Sequence, residues 1–114
     1  MKTIIYHNPR CSKSREALEI LEQNGEEVEV IEYLKVPPTT HELESIIKML
    51  NIKPEMLIRK NETVYKEQFK GKTLSDKEWI KIMVEHPVLI ERPIVIKKHK
   101  AVIGRPPQLI IDIL

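Results

Sequence analysis

The apolar positions change their spacing along the first third of the chain. Residues 3–7 form a short run that includes β-branched residues and is typical of a strand. From Ser12 the apolar residues recur at helical intervals, until Gly25 provides a plausible end for the helix. A second β-type run covers residues 28–31. The pattern therefore predicts a strand, a helix and a second strand.

The middle of the chain has only helical patterns. Thr39–Glu42 and Ser75–Glu78 each match a capping box, in which the first and fourth side chains satisfy free backbone N–H groups at a helix start. Apolar residues follow each box at helical spacing. Pro54 can occupy the first turn of a short helix between them. We therefore predict a helical insertion over about residues 39–90.

The last part of the chain returns to short strands. Residues 94–96 and 101–103 are apolar runs separated by a polar turn, which predicts a β-hairpin that pairs with the strand at 3–7. Paired prolines at 106–107 then open a final helix. A βαβ unit followed by ββα, with a helical insertion between the second and third strands, is the thioredoxin-like arrangement. We expect a single α/β domain of this kind over residues 1–114.

The composition is that of an ordinary folded protein. Of its 114 residues, 41% are hydrophobic and 32% are charged, and the net charge of +2 argues against a disordered chain or a strongly basic nucleic-acid binder. No apolar stretch approaches the roughly 20 residues of a membrane span, and no apolar leader opens the chain. The three glycines can form neither a dinucleotide-binding motif nor a P-loop. We expect a cytoplasmic protein that binds neither nucleic acid nor a membrane.

The chain has one cysteine, Cys11. A lone cysteine cannot form an internal disulfide, which excludes a secreted disulfide scaffold and a self-contained dithiol oxidoreductase. Ser14 stands where a Cys-x-x-Cys motif needs its second cysteine, and Ala17 stands where a cysteine phosphatase loop needs arginine. The four histidines are too scattered for a zinc site, so we expect no metal.

The surroundings of Cys11 favour its thiolate form. It lies between the first strand and the first helix, where free backbone N–H groups and the helix dipole stabilise negative charge. Arg10, Lys13, Arg15 and a protonated His7 add positive charge nearby. The same groups could bind a tetrahedral oxyanion. The alternative interpretation is a buried structural cysteine.

The segment around this cysteine resembles the active-site signature of a known family. Tyr6–Arg15, with the sequence YHNPRCSKSR, is similar to that of the glutaredoxin-dependent arsenate reductases, the ArsC-like proteins. Further blocks of the chain match that family in the same order: Tyr33-Leu34, Pro37–Thr39, Leu57–Asn61, His86–Val95 and Gly104–Pro106. The resemblance covers nearly the whole chain. Ser12 departs from it, because the best-characterised members have glycine after the cysteine.

The resemblance implies a reaction and a set of partners. The Cys11 thiolate would attack arsenate, glutathione would displace a second oxygen, and glutaredoxin would resolve the adduct so that arsenite leaves. Glutathione is then a co-substrate, no cofactor is tightly bound, and we expect a monomer. The roles implied for individual residues are oxyanion binding by Arg59, Arg92 and Arg105, and support of the thiolate by His7, Ser14 and Asn8. Thioredoxin-like folds also place a cis proline opposite the cysteine loop, which predicts a cis Arg92–Pro93 bond.

The chemistry of arsenate is consistent with binding by these three arginines. Arsenate carries several negative charges on a tetrahedron of oxygens, and guanidinium groups offer it paired, fixed donors. Arg59, Arg92 and Arg105 all stand where regular elements begin or end, which is where ligand contacts are commonly held.

The sequence leaves two other functions open. One is a glutathione-linked thiol oxidoreductase that acts on another substrate, such as a mixed disulfide or a peroxide. The other is a non-enzymatic regulator resembling Spx, which has this fold and binds RNA polymerase. That family usually carries Cys-x-x-Cys as a redox switch, and Ser14 argues against it here.

Overall fold

The computed structural model describes residues 2–114, which divide into two compact units. One unit combines residues 2–36 with Arg92–Leu114, and the other is Pro37–Glu91. The prediction of one domain over 1–114 stays a prediction. No helix in residues 2–114 is both long enough and apolar enough to cross a membrane.

The first unit is built on a mixed four-stranded sheet. Its strands are β1 (Thr3–His7), β2 (Val28–Glu32), β3 (Ile94–Lys97) and β4 (Lys100–Ile103). Their order in the sheet is β2-β1-β3-β4, with β2 parallel to β1 and the other two pairings antiparallel. The predicted hairpin is therefore confirmed, and it pairs with β1 as expected.

One helix covers this sheet and ends as its sequence indicates. Helix α1 spans Ser12–Gln23, and Gly25 follows it with a φ of 71°, a left-handed conformation that glycine adopts without strain. A buried hydrophobic cluster of the unit contains Ile5, Ala17, Leu21, Val95 and Ile110. Ile110 belongs to the final predicted helix, which is a 3₁₀ helix over Pro107–Ile113.

The second unit is helical, and both predicted capping boxes open its longer helices. These are α2 (Thr40–Leu50) and α4 (Asp76–Glu85), with α3 (Thr63–Gln68) between them and 3₁₀ turns at Pro54–Leu57 and Pro87–Leu89. Thr39 and Ser75 each accept a hydrogen bond from the backbone three residues on, and the glutamate there accepts one in return. Each cap is typically worth about 1 kcal/mol.

Helix α3 has no counterpart in the sequence-based interpretation. It has only six residues, which is too few for a helical period to be visible. Its buried Tyr65 stacks on Trp79 of α4, with ring centroids 6.4 Å apart. A tertiary contact therefore supports this helix, and such a contact leaves no local pattern.

A short antiparallel pairing holds two distant segments of the second unit together. Ile58 and Ile90 form a β-bridge. On either side of it, the Arg59 N–H donates to the Leu89 carbonyl at 2.8 Å, and the Glu91 N–H donates to the Leu57 carbonyl at 2.9 Å. The bridge therefore fixes the backbone of Arg59 opposite Leu89 and the backbone of Glu91 opposite Leu57.

Gly104 allows two segments of the first unit to approach closely. Its N–H donates to the Pro93 carbonyl at 2.9 Å, and a Cβ at this position would lie 2.9 Å from Pro93 Cγ and 3.1 Å from Ile110 Cδ1. We expect Gly104→Ala to lower the free energy of unfolding by about 1–3 kcal/mol, because the added methyl group overpacks a closed space. Urea unfolding measures this, with Gln108→Ala as an exposed control. An unchanged midpoint for both variants would contradict it.

Candidate active site around Cys11

Cys11 occupies the position just before the first turn of α1. Its backbone is extended there, with φ −96° and ψ 122°, and its N–H donates to the Asn8 carbonyl at 3.0 Å. The backbone amides of Ser14 and Lys13 lie close enough to the sulfur to lower the pKa of Cys11, although the Cys11 side chain makes no capping hydrogen bond. The residue is 9% exposed, so the sulfur is held in a defined place. This is the helix N-terminal position that the sequence predicts.

Two arginines from the end of the chain reach the same sulfur. The Arg105 guanidinium places Nη2 3.4 Å from Cys11 Sγ, and its Nε donates to the backbone carbonyl of Arg92 at 2.8 Å. The Arg92 side chain also hydrogen-bonds to the sulfur. The Arg92–Pro93 bond is cis, as predicted, and so is Arg105–Pro106. Cys11, Arg92 and Arg105 therefore form one cluster within the first unit.

The electrostatics of this cluster favour the thiolate. Burial by itself raises the pKa of Cys11, because it removes water from the charged form. The amides of Ser14 and Lys13 and the hydrogen bond and charge of Arg92 outweigh burial, so the pKa of Cys11 lies below its ordinary value. Burial likewise disfavours the Arg92 charge, but the sulfur and Tyr33 raise the pKa of Arg92 overall. The positive charge of Arg92 and the negative charge of the Cys11 thiolate form therefore stabilise each other.

A second set of contacts shapes the loop before Cys11. His7 Nδ1 lies 2.6 Å from the Ser14 hydroxyl oxygen, which also accepts the Asn8 N–H at 3.0 Å. The Asn8 side-chain oxygen accepts the Arg10 N–H at 3.0 Å. These contacts, of which the two to the Ser14 hydroxyl are buried, join the end of β1 to the first turn of α1 and so fix the loop that carries Cys11.

The neutral form of His7 is more favoured than that of a free histidine, because the pKa of His7 is lowered. Burial lowers the pKa of His7, and the positive charge of Arg15 acts in the same direction. Glu32 and the Ser14 backbone oppose these effects without reversing them. In this structure His7 therefore contributes a hydrogen bond to the loop, whereas the sequence interpretation counted its positive charge.

The cationic neighbours of Cys11 differ from those the sequence singles out. Lys13 pairs with Glu16 at 3.7 Å, and Arg15 donates to the Pro9 carbonyl at 2.9 Å. The helix amides contribute as predicted, but the cation that lowers the pKa of Cys11 is Arg92. Closeness along the sequence does not show which way a side chain points. The sequence-based prediction therefore named different cations from the one that acts on Cys11 in the structure.

The other predicted site residues include Ser14 in the first unit and Arg59 in the second. The backbone amide of Ser14 lowers the pKa of Cys11, while its hydroxyl contacts His7 and Asn8. Arg59 belongs to the second unit, where it pairs with Glu91, and its role toward an oxyanion stays a prediction. Sequence reasoning assigns no role to Tyr33, which is 1% exposed and interacts with Arg92.

This arrangement can support nucleophilic attack by sulfur on an anion. A thiolate is the reactive form of cysteine, and guanidinium groups can bind oxygen atoms of an oxyanion beside it. Backbone amides at the helix start add further donors. The protein thus has a mixed sheet, one activated cysteine in a strand-to-helix loop, and two arginines that contact the cysteine sulfur. These features define its class as that of a single-cysteine thiol protein.

Comparison with known proteins identifies the family. A sequence model of the ArsC family matches residues 6–113, and the chain belongs to this family. A Haemophilus influenzae arsenate reductase is 45% identical over 116 residues, covering all of both chains. An Escherichia coli K12 protein named YfgD, described as uncharacterized, is 46% identical over 112 residues, which is 96% of this chain and 94% of that one.

A solved structure shows the same fold. The arsenate reductase from Vibrio cholerae superimposes with a TM-score of 0.96 at 44% identity, covering 100% of this chain and 98% of the other. The resemblance to ArsC-like proteins and the thioredoxin-like α/β fold are thus both confirmed.

Proposed function

We propose that this protein reduces arsenate to arsenite, with glutathione and glutaredoxin supplying the electrons. The observation that carries the proposal is the convergence of Arg92 and Arg105 on the Cys11 sulfur at the start of helix α1. Relatives named arsenate reductase, 45% and 44% identical to this chain, support the choice of substrate. The lone thiol supports an external source of electrons, because no second cysteine is available to form a disulfide.

The proposed chemistry balances in four steps. The Cys11 thiolate attacks arsenic, and one arsenate oxygen leaves as water after protonation. The thiol of glutathione then displaces a second oxygen, again as water, and forms an arsenic–sulfur bond. A glutaredoxin thiolate attacks the glutathione sulfur, so that a mixed disulfide forms and two electrons pass to arsenic. Water releases arsenite from Cys11 and regenerates the thiolate.

Each group of the site has a role in this proposal. Arg92 favours the thiolate form of Cys11 before the attack, because its positive charge lowers the pKa of the thiol. Arg92 and Arg105 would bind oxygen atoms of the substrate, because guanidinium groups suit oxyanions. The family resemblance adds Arg59 as a third binding group. His7, Ser14 and Asn8 hold the loop through the hydrogen bonds already described. The proposal includes a cytoplasmic monomer without a tightly bound cofactor.

A coupled assay tests this proposal. The protein is mixed with glutathione, glutaredoxin, glutathione reductase and NADPH, and NADPH oxidation is followed after arsenate is added. We expect oxidation that saturates with arsenate and stops when glutathione or glutaredoxin is omitted. Parallel reactions with a glutathionylated protein and with a peroxide test the other thiol chemistry. Turnover of either of these without turnover of arsenate would overturn the proposal.

A further inference from the structure

Tyr33 lies at the same end of the first unit as the loop that carries Cys11, and the proposed chemistry gives it no role. It follows β2, whose last residue, Glu32, is paired with His7 at the end of the parallel strand β1. The carboxyl ends of parallel strands meet at one edge of a sheet, and the loop to Cys11 leaves β1 at this edge. The topology therefore brings Tyr33 to the candidate site.

The backbone and the burial of Tyr33 hold its side chain in a defined place. The N–H groups of Lys35 and Val36 both donate to the Glu32 carbonyl, at 2.9 Å and 3.0 Å, and so close a turn around Tyr33. The residue is 1% exposed, and its hydroxyl oxygen is buried as well. A buried hydroxyl is costly unless a polar group interacts with it.

The polar group that interacts with Tyr33 is the side chain of Arg92, which belongs to the same unit. Burial alone would lower the pKa of Arg92, and the Cys11 sulfur and Tyr33 together raise it. A guanidinium has only donors, and a phenol oxygen can accept from it. Arg92 therefore interacts with Tyr33 as well as with the sulfur whose thiolate form it favours.

A phenol differs from a carboxylate as a partner for this arginine. A carboxylate brings a negative charge, which offsets the positive charge of the guanidinium; Arg59 has such a partner in Glu91. The hydroxyl of a tyrosine is an uncharged acceptor near neutral pH. It can therefore orient the Arg92 guanidinium and leave its charge available to the Cys11 sulfur and to a bound anion.

We propose that Tyr33 is a positioning residue whose hydroxyl holds the Arg92 guanidinium against the Cys11 sulfur. Tyr33 acts through Arg92 and takes no part in the reaction at sulfur. Its effect on Cys11 does not depend on the identity of the substrate. Its effect on arsenate turnover rests on the proposed function.

Tyr33→Phe tests this proposal, because it removes the hydroxyl and keeps the ring. The rate at which iodoacetamide alkylates Cys11 is measured across pH, and its midpoint reports the formation of the thiolate. We expect the midpoint to rise, as in Arg92→Ala but by less, because the guanidinium is released rather than removed. The value of kcat/KM for arsenate should fall about three- to tenfold, as for the loss of one hydrogen bond.

Two further comparisons isolate the action of Tyr33 through Arg92. Tyr65→Phe removes a phenol hydroxyl from a buried residue of the second unit, and it should change neither the midpoint nor kcat/KM. Adding Tyr33→Phe to Arg92→Ala should have no further effect on either quantity. The side chains of Arg105, His7 and Glu32 are the same in every variant, so a shift of the midpoint is not caused by their removal.

The possible outcomes separate a positioning role from a structural one. Urea unfolding shows whether each variant is folded. A merely structural Tyr33 would lower the free energy of unfolding when its hydroxyl is removed but leave the midpoint unchanged, and that result would overturn the inference. An equal rise of the midpoint in the Arg92→Ala background would also overturn it, because Tyr33 would then act without Arg92. If the natural protein does not turn over arsenate, the proposed function fails, while the midpoints still decide the role of Tyr33.

Discussion

Cys11→Ser should abolish arsenate-dependent NADPH oxidation. The serine hydroxyl stays protonated near neutral pH, whereas the pKa of the Cys11 thiol lies below its ordinary value, and the chain has no other cysteine to replace it. Loss of a covalent nucleophile typically lowers turnover by roughly a thousandfold or more. The coupled assay, run with equal amounts of each protein, measures this loss.

The control for this substitution is a variant that removes a side-chain hydroxyl one position away. Ser12 is exposed at the start of α1, and Ser12→Ala should keep most of the activity. Urea unfolding of both variants shows that each is folded. Activity within tenfold of the natural protein in a folded Cys11→Ser variant would exclude sulfur as the nucleophile.

Arg92→Ala and Arg105→Ala should each lower kcat/KM for arsenate by roughly ten- to a hundredfold. A charge-assisted hydrogen bond contributes about 1.5–3 kcal/mol, and both side chains bond to the Cys11 sulfur in the resting protein. Arg92→Ala should also raise the pKa of Cys11, because the positive charge that favours the thiolate is lost.

The matched control removes a charge of the same sign from the same unit. Lys100 is exposed on β4, so Lys100→Ala should leave both kcat/KM and the pKa of Cys11 unchanged. Arg105→Lys adds a second comparison: it keeps the charge but loses the planar, paired donors, and we expect intermediate activity. Natural kinetics in both alanine variants would remove these arginines from the proposed site.

Local features of the fold could be predicted from the sequence. The capping boxes at Thr39 and Ser75 depend on residues three apart, and the hairpin after Pro93 depends on two short runs and the turn between them. Helix α3 could not be predicted, because it depends on the contact of Tyr65 with Trp79. What is encoded within a few residues was visible in the sequence, and what depends on tertiary packing was not.

The candidate site shows the same division. The position of Cys11 at a helix start follows from local sequence, as does the contribution of the amides. Arg105 is 94 residues away from Cys11 along the chain, so only the family resemblance indicated that it belongs to the site. The pairing of Arg59 with Glu91 depends on a β-bridge between distant segments, and no spacing rule reveals it.

The central claim is that Cys11 is a thiolate beside an oxyanion site, and its alkylation by iodoacetamide across pH tests this most directly. The single cysteine makes the signal specific, and the alkylation rate follows the thiolate fraction. We expect a midpoint below the ~8.5 of a free thiol. Sulfate or arsenate should slow the reaction and move the midpoint upward, because a bound negative charge disfavours the thiolate. A midpoint at or above ~8.5 without protection by either anion would contradict the account and leave Cys11 as an inert structural thiol.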